Sequence, residues 1–196
     1  LEYYKTVVEQ MPSSGYAEDA LAAIESVYQT KNEPEAYIRY IEKIGKGETK
    51  TADEKEDMIF NSAEQVYLTE NYQKALISLQ TYLEKYPSGK YMHKAEFYIA
   101  DSYRMLGKYE QACDSYTNVI EKGESAYVEP SMLYFSDLSY RLEKWEDAYG
   151  GYSSLYASAA VENNKMAALK GMMRSAYRWH NWNGALKAVE KVLEEN

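Results

Sequence analysis

Cysteine is nearly missing from this chain: Cys113 stands alone among 196 residues, so no internal disulfide can brace the fold. Proline and glycine are scarce, at 4 and 10, which leaves few places where a helix must break. No apolar run approaches the roughly 20 residues of a membrane-spanning helix, and no signal peptide is seen. Histidine occurs only as His93 and His180, and neither falls into a metal-binding spacing such as His-Glu-x-x-His. Gly150-Gly151 and Gly45-Lys46-Gly47 are too short for phosphate loops and follow no strand. Positive charge is in deficit, with 22 Lys and Arg against 31 Asp and Glu and a net of −9. Nucleic acid is held by clustered cations. The cations here are scattered, so nucleic acid is not an expected partner, and no cofactor or metal is expected either.

What the chain has in quantity is tyrosine, 22 residues of it, enough ring area to build a core. Its arrangement is periodic. An anchor followed three positions later by alanine recurs as Tyr72…Ala75, Tyr109…Ala112, Trp145…Ala148 and Trp182…Ala185, with a degenerate copy at Glu33…Ala36. The intervals between anchors are 39, 37, 36 and 37 residues. Self-similarity at such a period marks a repeat architecture. Each copy reads as one helix, a short turn, and a second helix opened by the anchor. Ala75, Ala112, Ala148 and Ala185 are expected where the paired helices cross, opposite Ala63 or Ala100, because a larger side chain would force the axes beyond about 8–10 Å. The anchor rings are expected to pack back onto the first helix. Residues 79, 82 and 83, then 116, 119 and 120, place apolar side chains three and four apart on one face of the second helix. Thr51 to Glu54 has the form of a capping box, and Pro130 suits a first helical turn.

The third copy, residues 92 to 122, resembles the tetratricopeptide repeat most closely. It has small Ala100 and then Tyr103 in its first helix, Gly107 before the Tyr109 anchor, and Ala112 in its second helix. The resemblance extends over essentially the whole chain, with departures at Glu33 in the first copy and at Ser136 and Ser139 in the fourth. It implies an all-α right-handed superhelix of antiparallel hairpins. The repeats are expected at 16–45, 52–87, 91–122, 129–160 and 164–195, preceded by residues 1–12 as the second helix of a truncated repeat. Leu1 in place of Met, and this incomplete first repeat, lead us to expect a piece of a longer protein. The lengthened repeats and the Tyr86-Pro87-Ser88 junction look like the periplasmic tetratricopeptide proteins of Gram-negative envelopes. That likeness implies a periplasmic or outer-membrane-associated setting and leaves a cytoplasmic one open.

In this family, by the same resemblance, the first helix of each hairpin lines a concave face. Five positions before each anchor stand Tyr28, Tyr67, Arg104, Tyr140 and Tyr177, and eight before stand Glu25, Glu64, Asp101, Asp137 and Arg174. Phe60, Phe97 and Leu133 lie one turn earlier. A tyrosine ladder beside an acidic ladder suits a peptide with Lys or Arg among apolar residues. Arg174, Arg178 and Lys170 break the acidic pattern at one end, where an acidic group would fit instead. The rival reading makes the tyrosines filling between repeats and the carboxylates mere solubilising charge. Cys113 reads as a buried filler and His180 as an exposed turn residue. The expected function is a protein- or peptide-binding scaffold without catalysis, with self-association through open ends as the alternative.

Overall fold

A computed structural model describes residues 1–123 and 125–194. Expectations that touch Glu124 or Glu195 lie outside the described residues. Among those described, eleven α-helices and a single 3-10 turn at Gly47–Thr49 make up the regular structure, without a strand. The fold class is all-α, a succession of helical hairpins.

The chain divides into two compact units, Leu1–Ala95 and Glu96–Asn196. Unit 1 contains α1 (Glu2–Gln10), α2 (Gly15–Thr30), α3 (Pro34–Lys43), α4 (Ala52–Leu68) and α5 (Tyr72–Lys85). Helix α6 (Met92–Met105) begins in unit 1, and unit 2 continues with α7 (Tyr109–Lys122), α8 (Val128–Arg141) and α9 (Trp145–Ser158). It ends with α10 (Glu162–Arg178) and α11 (Trp182–Glu194). Within unit 1 the core gathers Ile24, Tyr37 and Ile41 between α2 and α3, with Val8 of α1 packed against them. Within unit 2 one cluster holds Ala112, Tyr116 and Leu138, and another holds Tyr152, Leu155 and Leu169.

Every hairpin closes in the same way. A residue with positive φ follows the first helix: Asn32, Glu70, Gly107, Glu143 and His180, at 55°, 61°, 72°, 62° and 60°. The next N–H in each turn then reaches back five residues, as from Asn71 to the Val66 carbonyl and from Lys144 to that of Ser139. This is the Schellman closure, and it satisfies carbonyls that the helix end leaves open. Only one of the five turns uses glycine, so the hydrogen-bonded frame holds side chains in a conformation they ordinarily avoid. The Thr51 capping box forms as the sequence indicates, with Glu54 accepting from the Thr51 N–H and Thr51 from the Glu54 N–H.

Small residues mark the helix crossings. Ala63 on α4 and Ala75 on α5 are buried, as are Ala100, Ala112 and Ala148 in the next two hairpins. The last hairpin departs from the expected register. Ala185 is half-buried, while Gly184 and Ala188 are the enclosed small residues of α11. The Asn181 carboxamide accepts from the Gly184 N–H at 2.9 Å, close to where a Cβ on residue 184 would project.

Two carboxylates tie successive hairpins together, and periodicity gave no warning of them. Glu56, sixteen residues before its anchor, accepts from the Lys90 N–H at 2.8 Å and from the Tyr82 hydroxyl at 2.7 Å. Glu129, at the same offset two hairpins later, accepts from the N–H groups of Ala160 and Val161 at 2.9 and 3.3 Å, and from Asn164 Nδ2 at 2.6 Å. Helix α10 has no polar cap of its own at Val161. A carboxylate from the preceding hairpin therefore supplies the charge and acceptors its N-terminus wants.

Hydrogen bonds from Asn164 and the Ala160 amide hold the Glu129 carboxyl below the usual range. Since the folded state depresses this pKa, the stabilisation is present above the ordinary carboxylate pKa and is lost as pH falls through the depressed value. Glu129→Gln is expected to cost about 1 kcal/mol at neutral pH, with the gap from wild type closing below about pH 4. Urea midpoints can be read from the fluorescence of Trp145, Trp179 and Trp182, which all lie in unit 2. A paired substitution tests packing in the same unit. A Cβ on Gly171 would lie 2.5 Å from the buried ring of Tyr152, whereas one on Gly150 would meet nothing within 4 Å. Gly171→Ala should lower stability by about 2 kcal/mol, and Gly150→Ala should raise it by roughly 0.5–1 kcal/mol.

Candidate functional site

The first helix of each hairpin carries the side chains expected to meet a partner, and their neighbours sort them into core and surface. In three hairpins the tyrosine five positions before the anchor meets the anchor ring edge-on. Centroids are 5.8 Å apart for Tyr67 and Tyr72, 4.8 Å for Tyr140 and Trp145, and 5.4 Å for Tyr177 and Trp182. Edge-to-face is a preferred geometry for aromatic pairs. Tyr67 and Tyr140 remain half-buried, and Tyr177 is 63% exposed.

Tyr28 and Phe60 are corrections to the expected surface. Glu33 gives the first hairpin no anchor ring, and Tyr28 fills the core instead, 8% exposed and 6.3 Å from Tyr37. Phe60 is wholly enclosed, stacked on Tyr91 at 4.1 Å and edge-on to Tyr82 at 5.3 Å. Phe97 is half-buried against Tyr127 at 5.2 Å. Leu133 is half-buried beside the core around Tyr152.

The acidic ladder is corrected too, because each carboxylate already faces a cation of this chain. Glu25 pairs with Lys50 at 2.9 Å and accepts from the Tyr37 hydroxyl at 3.1 Å. Glu64 pairs with Lys94 at 2.5 Å. Asp101 is buried, gripped by Arg104 Nε and Nη2 at 2.8 and 2.5 Å, and accepts from the Tyr116 hydroxyl at 3.1 Å. Asp137 accepts from the Tyr152 hydroxyl and pairs with Arg174 at 2.9 Å. Burial, then the neighbouring carboxylate, pushes the Tyr116 and Tyr152 hydroxyls well above the ordinary tyrosine range. Each of these charges is met by a cation of this chain, Asp137 and Arg174 as a pair still about half exposed, so the electrostatic ground for a basic partner at these positions is weakened.

Arginines on aromatic rings are what unit 2 displays. Arg104 lies over Tyr134 at 4.5 Å and Arg174 over Tyr140 at 4.6 Å. Arg141 and Arg178, each four residues before an anchor, lie over the preceding anchors Tyr109 and Trp145 at 4.4 and 5.6 Å. A cavity of about 350 Å³ is bounded by Arg104, Tyr109, Tyr134, Asp137, Leu138 and Arg141. A second, of about 520 Å³, has Tyr140, Met173, Tyr177 and Trp182 in its walls beside Arg174 and Arg178. Arg141 escaped the sequence reading, although its constant offset from the anchor, shared with Arg178, was visible there.

Unit 1 has a cleft of about 440 Å³, with Gln29, Asn32, Asn61 and Gln65 in its walls. Cys113 is buried, and desolvation raises its thiol pKa, which fits a packing role. His180 occupies the last turn, exposed, 5.2 Å from the Trp182 ring. Among the described residues no three His, Cys, Asp or Glu side chains converge as a metal ion would need, and no helix is long and apolar enough to cross a membrane.

Two tyrosines at equivalent positions should separate filling from display. Tyr28→Ala is expected to destabilise unit 1 by about 3 kcal/mol, the scale of a large core truncation. Tyr177→Ala should cost unit 2 no more than about 0.5–1 kcal/mol, the worth of one edge-on ring pair. Denaturant unfolding followed by far-ultraviolet circular dichroism measures both.

The family model of the tetratricopeptide repeat matches residues 94–122, the hairpin of α6 and α7. No curated protein matches the chain. Among solved structures, BtubC (BKLC) from P. vanneervenii is similar over 98% of this chain and 85% of its own, at a TM-score of 0.58 and 12% identity. The TPR-like repeats of a putative kinesin light chain from Podosopora anserina give a TM-score of 0.55 at 11% identity, over 90% of this chain and 93% of that one. MamA, residue 41 to its end, from Desulfovibrio magneticus RS-1 gives 0.55 at 12% identity with the same coverage, 90% and 93%. Identities this low carry the fold and nothing finer. The third hairpin is thus a tetratricopeptide repeat by sequence, and the chain has a tetratricopeptide-type fold of successive helical hairpins.

Proposed function

We propose that this chain is a protein-binding scaffold that recognises a segment of another protein without acting on it chemically. Tetratricopeptide-type repeats generally mediate protein–protein interactions, and the fold is typically non-catalytic. The observation that carries the proposal is the surface of unit 2, where Tyr140, Tyr177 and Trp182 stand with Arg174 and Arg178 around the 520 Å³ cavity. Tyr, Trp and Arg dominate binding hot spots because they bring large, fairly rigid contact area with a polar edge. The narrower reading, an adaptor section of a larger cell-envelope protein, belongs to the same proposal. Fractionation of cells expressing the full-length parent tests it.

Self-association is a second reading, favoured by Tyr3 and Tyr16 of unit 1. They are 77% and 71% exposed and border a cavity of about 550 Å³ with Val7 and Met11. Light scattering across a concentration series distinguishes it, since an adaptor stays at one mass.

For the binding proposal, a random peptide library displayed on phage can be enriched on the wild-type chain and on a Tyr140→Ala/Tyr177→Ala variant. The expected result is a consensus retained by the wild type and lost by the variant while its melting curve stays cooperative. Failure to enrich any consensus, or a consensus indifferent to both tyrosines, overturns this surface as the site.

A further inference from the structure

Unit 2 carries two arginines whose charge no carboxylate among the described residues matches. Arg104 and Arg174 have counter-charges in Asp101 and Asp137. Arg141 and Arg178 are exposed, and no carboxylate among the described residues pairs with either. They occupy the same register on α8 and α10, which touch each other, and each is held over the anchor ring of the preceding hairpin. An aromatic surface under one face steadies a guanidinium and leaves its N–H edge free. That edge matches a carboxylate or phosphate with two parallel hydrogen bonds. A chain of net charge −9 has surface carboxylates in excess, yet none answers these two arginines. Asp137, which also borders the cavity beside Arg141, has its charge matched by Arg174.

We propose that Arg141 and Arg178 form an anion-reading register on unit 2, one guanidinium per hairpin, that selects carboxylate or phosphate side chains on the bound segment. The inference rests on the protein-binding reading and gives the partner its chemistry. Packed helix axes lie about 8–10 Å apart, so two acidic groups about three residues apart on an extended segment would reach both arginines. The cavity beside Arg178, walled by Met173, Tyr177, Trp182 and Leu186, takes an apolar side chain next to the acidic one. Acidic residues alternating with an apolar or aromatic one describe the preferred sequence, the reverse of the basic segment that the unpaired acidic ladder would have drawn.

Two measurements test this. In the first, the arginine Nε–Hε resonances of the full chain are followed by NMR during titration with pyrophosphate. Arg141 and Arg178 should shift saturably, while Arg104, Arg174 and Arg39 should not. Absence of saturable shifts at both arginines overturns the proposal. In the second, labelled peptides carry two Glu, two phosphoserines or two Gln three positions apart around a central Leu or Trp. Binding is compared for the wild type, Arg141→Gln/Arg178→Gln, and Arg39→Gln as a charge control on unit 1. The double variant should bind the Glu and phosphoserine peptides roughly tenfold or more weakly, with the Arg39 variant within about twofold of wild type. Equal affinity for Glu and Gln peptides, or equal loss in the control, overturns the register. The stronger of the Glu and phosphoserine peptides identifies the source of the anion. If pyrophosphate shifts the two arginines and no peptide binds, the register stands and the protein-binding reading fails.

Discussion

Close approach of helix axes is the constraint from which the other features follow. Ala63 and Ala75 in one hairpin, and Ala100 and Ala112 in the next, leave no space at the crossing for water or a longer side chain. Once the backbones meet there, the hairpin has only one low-strain register, and the turn must reverse the chain within three residues. The positive-φ closure at each turn is the geometric answer to that demand. The large side chains then flank the crossing, which is why Tyr82, Tyr116 and Tyr152 are wholly enclosed although each bears a hydroxyl. A buried hydroxyl needs an acceptor. Glu56, Asp101 and Asp137 supply those acceptors, and the carboxylates in turn draw Arg104 and Arg174 towards them. Much of the polar chemistry of unit 2 is thus a chain of consequences beginning at an alanine.

The same logic separates structural from available charge. A carboxylate that accepts from a core tyrosine is committed, and its cation with it. Arginines resting on anchor rings without a carboxylate are not committed, because the ring supplies position without cancelling charge. The recognition chemistry of such a surface is what remains after internal pairs are taken away. A simple tally of exposed acids and bases along the first helices gives the opposite sign.

Helices, turns and crossing alanines were legible in the sequence because they depend on spacing, and spacing is preserved when individual residues vary. The site was legible only in part. Tyr67, Tyr140 and Tyr177 could be placed from their offset, but Tyr28 shares that offset and is core, because the deciding residue is the missing ring at Glu33. Asp101 and Asp137 were visible as a series, while their partners Tyr116 and Tyr152 sit fifteen residues away on the opposite helix, and no single-helix periodicity joins them. Ala185 shares the offset of Ala75 and Ala112 from its anchor, yet Gly184 and Ala188 are the enclosed small residues of its helix, a difference the spacing does not show.

The carboxylates Glu56 and Glu129 give the hairpins a directionality that their shared outline conceals. Each donates an end-piece to the element that follows it, so a hairpin lifted from its place takes away a neighbour's terminus and arrives without its own. Duplication, excision or transplantation of a whole unit in this chain would therefore leave exposed amide groups at one seam and a stranded carboxylate at the other. The series grows and shrinks gracefully only where the cut keeps donor and recipient together, and the natural building block is offset by half a step from the visible hairpin.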